Sequence, residues 1–419
     1  MKVAGFIANR IAFNQQRSFS RFIIRLSIAA TVISVAVMII TLSFANGFQQ
    51  TVSEKVFSFL GHIHVQEKQP YKAVIAEETT ITKDDGLVSE IKKNPLVSTI
   101  HPFATKYAML KAKEDIDGVL VKGFDSTYQF DHIRPYITEG RPIQFNDSSY
   151  SQEIMLSAYT AKQLKVKLND RILIFFFRPG SEPNKKRLTV VGIYKTGISE
   201  YDQLFAIADI QMIQRLNTDS SEIDNGEYKN KIGGYEIFLK DYKKIDAAAD
   251  EIRNLDDLPP TWDTESVKHI SPNIFDWLAM QDVTRNVLIG FMIIIAVINL
   301  ITCLIILVLE RVRMVGILKS LGATDWTVQQ IFLRHSAIIT ITGIIIGAAV
   351  ALGLLYLQKE TGFIKLQEDA YYMSEAAVKI VWWQVAFICA GTLVVCFLIL
   401  MIPSILVRRI QPVRAIHFR

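Results

Sequence analysis

The chain has 419 residues, half of them hydrophobic, and a formal net charge of +5. Its mean hydropathy is positive; soluble globular domains rarely average so apolar, whereas membrane-embedded chains do. No GxxxxGKS/T phosphate loop, HExxH zinc motif or GxSxG nucleophile elbow occurs, so the chain carries no recognisable nucleotide site or hydrolase centre of its own.

Residues 1–25 carry Lys2, Arg10, Arg17, Arg21 and Arg25 and no acid. Val3, Phe6, Ile7 and Ile11 recur at helical spacing with Arg10 among them, which suits a short helix lying on a membrane surface or a solvated lead-in. Residues 26–46 form the first run long enough to cross a bilayer, which takes about 20 apolar residues. This run is not expected to be a removable signal peptide, because its basic lead and apolar stretch are too long. Residues 48–60 continue it in a helical pattern.

Residues 47–286 are mostly hydrophilic. The pattern predicts a strand at 61–66, an amphipathic helix at 86–93, and strands at 97–102, 105–111 and 118–122. A strand at 153–156 leads into a helix at 157–164. Residues 171–177 and 188–193 read as a hairpin whose tip holds Arg178, Pro179, Pro183, Lys185 and Lys186. That tip is either a solvated hairpin end or a protruding arm that grips a partner. A strand at 204–208, a helix at 210–216 and a polar, turn-rich stretch at 217–231 follow. Residues 235–239, 242–253 and 260–266 repeat strand, helix, strand. The segment thus begins and ends with a similar unit, which predicts an α+β domain with a subdomain inserted at about 104–232. His62-x-His64 places two imidazoles on one strand face. No third ligand sits at suitable spacing, so no metal site is expected.

Residues 274–285 run without a helix breaker into a second apolar stretch, 287–309. The first and second spans are therefore expected to extend beyond the membrane as helical stalks. Two further spans are expected at 337–357 and 381–407, the last containing Pro403. All three cysteines, Cys303, Cys389 and Cys396, lie in these runs, so the hydrophilic part holds no disulfide and the compartment is unreadable from cysteine. The spans carry no Asp, Glu, Lys or Arg in their deep portions, which argues against an ion-coupled carrier.

Charge sets the orientation. The N-terminal lead, the 310–336 segment (Arg311, Arg313, Lys319 and Arg334 against Glu310 and Asp325) and the 408–419 tail are basic. The 358–380 loop is not. By the positive-inside rule both termini and residues 310–336 are cytoplasmic, and residues 47–286 and 358–380 face outside. The expected architecture is an α-helical membrane protein with four transmembrane helices plus an α+β extracytoplasmic domain.

Residues 310–336 read as helix, corner, helix. Val315, Leu318 and Leu321 are spaced for one face. Gly322 sits where a helix C-terminus needs positive φ. Thr324 can cap a helix starting at Asp325.

The run Arg313-Met314-Val315-Gly316-Ile317-Leu318-Lys319-Ser320-Leu321-Gly322-Ala323-Thr324 closely resembles the cytoplasmic signature of FtsX/MacB-type ABC transporter permeases. More narrowly, the chain resembles the lipoprotein-releasing permeases of the LolC and LolE type. Four stretches carry that likeness: Phe6-Ile7-Ala8-Asn9-Arg10 with Phe19-Ser20-Arg21-Phe22-Ile23; Asn46-Gly47-Phe48; Ala296-Val297-Ile298-Asn299 through the corner; and Arg408-Arg409-Ile410-Gln411-Pro412-Val413-Arg414-Ala415-Ile416.

The resemblance implies an inner-membrane permease subunit with a MacB-like periplasmic core domain, working by mechanotransmission. The corner would be a coupling helix, with Arg313, Gly316, Leu318, Lys319, Leu321, Gly322, Ala323 and Trp326 docking into a separate, LolD-like ABC ATPase. That partner would bind ATP and Mg; this chain would hold no cofactor. The lipid anchor of a lipoprotein would enter between the first and second spans, near Asn46, Phe48, Val287 and Phe291. The hairpin at 177–186 corresponds to a hook that, in one permease of the pair, recruits a periplasmic LolA-like chaperone. Two departures stand out: Met314 replaces a frequent acid, and the hairpin tip looks short for a hook. The chain would either pair with a second copy and combine both permease roles, or be the hookless partner of a homologue. A MacB-like efflux or FtsX-like signalling permease would use the same corner. A stand-alone membrane receptor is the alternative of another class. No nucleic-acid partner is expected.

Overall fold

The computed structural model describes residues 19–68, 79–146, 150–177, 182–216, 226–310 and 312–404. The expected surface helix before residue 19, the 408–419 tail, Arg178, Pro179 and Arg311 lie outside them. The chain divides into two units: residues 1–50, 278–365 and 375–419 form the first, and residues 51–277 with 366–374 the second.

Five helices organise the first unit. Helix α1, Phe19–Leu60, is 42 residues long, and α2, Pro272–Glu310, is 39. Both run unbroken from apolar into polar sequence, as the absence of breakers predicts. Then come α3, Val312–Ser320, α4, Asp325–Thr361, and α5, Trp382–Ser404. Among the described residues three helices, not four, are long and apolar enough to cross a membrane: Ile24–Leu60, Pro272–Cys303 and Asp325–Thr361. The fourth expected span is represented by α5, whose apolar stretch among the described residues, Trp382–Leu398, is shorter. Val35, Met38 and Ile39 of α1 pack with Ile344, Ala351 and Leu355 of α4 and with Val385 and Ile388 of α5. Small residues let the backbones approach: a Cβ on Gly347 would lie 2.8 Å from Val32 O.

The second unit is built on strands β1 (Ile63–Glu67), β2 (Ile81–Thr82), β3 (Val97–Ala112), β4 (Asp115–Phe124), β5 (Ile137–Gly140), β6 (Glu153–Ser157), β7 (Arg171–Phe176), β8 (Asn184–Tyr194), β9 (Phe205–Asp209), β10 (Lys231–Ile232), β11 (Gly234–Leu239) and β12 (Trp262–Ser266). The large sheet runs β12-β1-β11-β3-β4-β9-β6-β8-β5, and β7 pairs with both β8 and β3. Strands β3, β4, β9, β6, β8 and β7 therefore close into a ring. Strand β3 serves three neighbours: its first half pairs with β11, residues 108–111 pair with β7, and residues 103–112 pair with β4.

Local chemistry explains the elements. Asp84 caps the helix Asp85–Lys93 by accepting from the amides of Gly86 and Leu87, and that helix buries Leu87 and Ile91. Ser157 caps the helix Ala158–Gln163 through the Thr160 amide. The expected strands at 97–102 and 105–111 are one strand, because no turn residue separates them. Strands β2, β5 and β10 and the helix Ser199–Leu204 were not expected; the first three are only two to four residues long, too short to show a period.

Candidate functional site

The corner between α3 and α4 is closed at both ends. Helices leave their last carbonyls without partners. Here the Gly322 amide donates to Lys319 O at 3.1 Å and the Ala323 amide to Leu318 O at 2.9 Å. This paired pattern with a left-handed residue is a Schellman ending. Gly322 supplies the positive φ, +89°, in open space. Thr324 then caps α4, accepting from the Thr327 amide. Between the caps Lys319 Nζ reaches Asp325 Oδ1 at 2.9 Å.

The inner side of the corner is packed. Val315 lies with Val328, Phe332 and Leu333, against Val308 of α2 and Cys396 of α5; Met314, Leu318 and Ala323 are partly buried around them. The outer side is apolar and open: Ile317 is 47% exposed, Trp326 53% and Leu321 80%. Leu321 thus does not share the buried face of Val315. The helix stops at Ser320, so the period of 3.6 no longer fixes where residue 321 points. Of the predicted corner residues, Arg313, Leu321, Gly322 and Trp326 are exposed, Leu318, Lys319 and Ala323 half-buried, and Gly316 buried. Lys319 is drawn back onto Asp325 and braces the corner. Ile317 was missed; its place on α3 opposite Val315 and Leu318 is the signal that could have found it.

The four residues expected to flank a lipid anchor lie on α1 (Asn46, Phe48) and α2 (Val287, Phe291). Asn46 Nδ2 donates to Gln384 Oε1 of α5 at 2.5 Å. One residue on, a Cβ at Gly47 would lie 2.2 Å from Ala377 O. The Asn46-Gly47 pair thus seats α1 against residues 377–384. Val287 and Phe291 of α2 are 51% and 57% exposed, and Phe48 is half-buried. Nearby, Gln49 Nε2 reaches Asp282 Oδ2 at 3.3 Å, and Arg285 holds the other oxygen of Asp282 at 2.8 Å.

In the hairpin Phe176 pairs with Asn184, Phe175 with Lys185 and Ile174 with Lys186. Lys185 and Lys186 therefore belong to the ladder and not to the tip, because β8 starts four residues earlier than its apolar part. Lys186 Nζ stands 5.7 Å from the Tyr150 ring centroid. Pro183 is exposed beside the undescribed tip.

Two polar clusters were missed by the sequence reading. At the end of α1, Lys122 of β4, Glu236 of β11 and His64 of β1 are all buried. Lys122 Nζ bonds Glu236 Oε1 and the carbonyl of Phe59. His64 Nε2 lies 2.5 Å from Leu60 O and 3.2 Å from Glu236 Oε1; both are acceptors, so this nitrogen carries the proton. Burial would raise the Glu236 pKa, but Lys122 and then His64 outweigh it and hold the carboxyl below its ordinary value. The second cluster lies on residues 366–374. Glu368 pairs with Lys195, and Lys55 of α1 donates to Tyr372 O at 2.5 Å. Burial lowers the Lys55 pKa. His62 Nδ1 accepts from the Leu239 amide at 3.2 Å. Burial, with His132 adding, pushes its pKa down to about 4. Among the described residues no group of three or more His, Cys, Asp or Glu could hold a metal ion.

Residues 26–255 match the MacB-like periplasmic core domain, and residues 286–412 match the FtsX-like permease C-terminal. The lipoprotein-releasing system transmembrane protein LolC of Xylella fastidiosa is 23% identical, with 96% of each chain covered. The lipoprotein-releasing system transmembrane protein LolE of Haemophilus influenzae is 21% identical, with 99% of each covered. Among solved structures, the periplasmic region of MacB from Actinobacillus actinomycetemcomitans aligns at 12% identity with a TM-score of 0.34, covering 51% of this chain and 91% of that one.

Proposed function

Because the chain belongs to the MacB-like periplasmic core domain family and ends in an FtsX-like permease region, we propose that it is a permease subunit of an ATP-driven complex that releases lipoproteins from the inner membrane. The observation that carries the reading is the corner: a doubly capped turn, packed inside and apolar outside, with Leu321 80% exposed. Such a knob is rigid enough to be pushed and apolar enough to be gripped. Its partner is a separate ABC ATPase, which binds ATP and Mg. Helices α1 and α2, continuous from apolar into polar sequence, are the elements that carry the stroke outward.

In this reading α5 is the fourth span, both termini and the corner are cytoplasmic, and residues 51–277 are periplasmic. A second permease, a copy or a homologue, completes the complex. The exposed Val287 and Phe291 on α2 face the acyl chains of the substrate. The β7–β8 hairpin is the candidate contact for a periplasmic chaperone.

Depletion in the native host tests the proposal. Outer-membrane lipoproteins should accumulate in the inner membrane. Unchanged lipoprotein sorting together with altered drug sensitivity or cell separation would sink it, in favour of an efflux or signalling permease.

A further inference from the structure

We propose that Lys122, Glu236 and His64 are positioning residues that fasten the end of helix α1 to the sheet, so that a stroke along the helix moves the sheet instead of flexing the junction. This rests on the ATP-driven reading for its purpose, but the fastening is readable by itself.

The junction is short. Only Gly61 and His62 separate α1 from β1. Gly61 has φ +65 and its amide donates to Phe57 O at 2.8 Å. The next orphaned carbonyls, of Phe59 and Leu60, are taken by Lys122 and His64. Both ligands also hold Glu236. The helix end is therefore tied locally to β1 and, through Lys122, to distant β4, with Glu236 of β11 joining the two donors. The Lys122 ammonium at a helix C-terminus also complements its dipole.

The ring of hydrophobic neighbours removes water from the tie. Lys122 Nζ sits between the Phe103 and Phe124 rings, 5.3 Å and 5.2 Å from their centroids. Lys122 is 1% exposed and Glu236 0%. Lysine and glutamate are almost never so buried unless paired. A buried pair is weak evidence of stability, since apolar side chains of similar volume often serve as well or better. What apolar side chains cannot do is bond to helix-end carbonyls. A directional tie therefore accounts for the charges, where core filling does not.

The same contrast provides the test. In the complex purified with its ATPase and returned to membranes, Lys122→Met with Glu236→Leu removes the ion pair and the Lys122 tether to Phe59 O, leaves only His64 on Leu60 O, and refills the core. Nitroxide labels replace Glu54 on α1 and Ser98 on β3, both exposed, in a background lacking the three cysteines. The unaltered junction should give one narrow label distance, the same with and without ATP. The double variant should broaden it and make it respond to ATP. ATP hydrolysis should stay within about twofold while lipoprotein release falls about tenfold or more. A double variant with a narrow, unchanging distance and normal release overturns the proposal. Should it fail to accumulate, His64→Phe decides on the same readouts, because it keeps the ion pair and removes one carbonyl tether. If the parent complex releases no lipoprotein, the functional reading fails, and the distance width still decides the fastening.

Discussion

Leu321→Ala separates docking from folding. Burying a leucine side chain fully is worth roughly 1.5–3 kcal/mol. Leu321 is 80% exposed, so nearly all of that gain is still available to a partner and almost none supports the chain's own fold. Truncation to alanine keeps one methyl and should cost about 1–2 kcal/mol of docking, roughly 5- to 30-fold in affinity. Titrating the detergent-solubilised permease with its ATPase subunit, and following stimulated ATP hydrolysis, reads that shift as a raised half-saturation point. Melting of the variant permease alone should be unchanged. The knob reasoning is refuted if affinity stays within about twofold of the parent, or if the variant loses affinity only because it melts earlier.

Gly47→Ala should destabilise by about 1–3 kcal/mol, because its Cβ would meet the backbone of residues 377–378 at 2.2–2.9 Å; Gly290→Ala, which meets nothing within 4 Å, should not, and melting in detergent compares them. Acidification should weaken the β-rich unit through His62. Its pKa of about 4 lies below the ordinary 6.5, so the unfolded chain takes up a proton first, and stability present above pH 6.5 is lost progressively toward pH 4. His62→Phe, which can keep the stack on Phe57, should flatten the pH dependence of melting over that window; an unchanged slope would rule His62 out. A photo-crosslinker at Pro183 should capture a periplasmic chaperone if the hairpin recruits one, and its reacting only with water would remove that role.

The corner was legible because its signals are local. Gly322 and Thr324 lie two residues apart and each announces a helix end by its own chemistry. Stalk continuity was legible for the same reason, since polar residues followed the apolar runs without a breaker. What failed was non-local. Leu321 kept the helical period on paper, while the chain had already left the helix. The ring closed by β7 on β3 joins residues 173–176 to 108–111, a pairing no local pattern encodes. Lys122 ends the predicted strand 118–122 in the apolar run Gly118-Val119-Leu120-Val121-Lys122-Gly123-Phe124, and nothing local marks it as buried or paired. Only the sheet order, which sets β1 beside β11 and β11 beside β3, brings His64 and Glu236 to it.

The two junctions should accordingly fail differently. At the corner every cap comes from within seven residues, Leu318 to Thr324, so a side chain pointing outward can be lost without unsettling it. At the foot of α1 one cap, His64, is local, but the other, Lys122, comes from β4, carries charge and is held by Glu236 of β11. Lys122→Met alone strands Glu236, which is 0% exposed and has one oxygen already unpartnered; breaking a buried pair from one side costs about 3–5 kcal/mol. Adding Glu236→Leu should restore most of that loss, since the orphaned charge goes with its partner. Chemical denaturation of the three variants gives the order directly: Leu321→Ala unchanged, Lys122→Met strongly weakened, the double variant close to the parent. A double variant as weak as the single one would mean that the ion pair itself, and not the stranded charge, carries the stability of that junction.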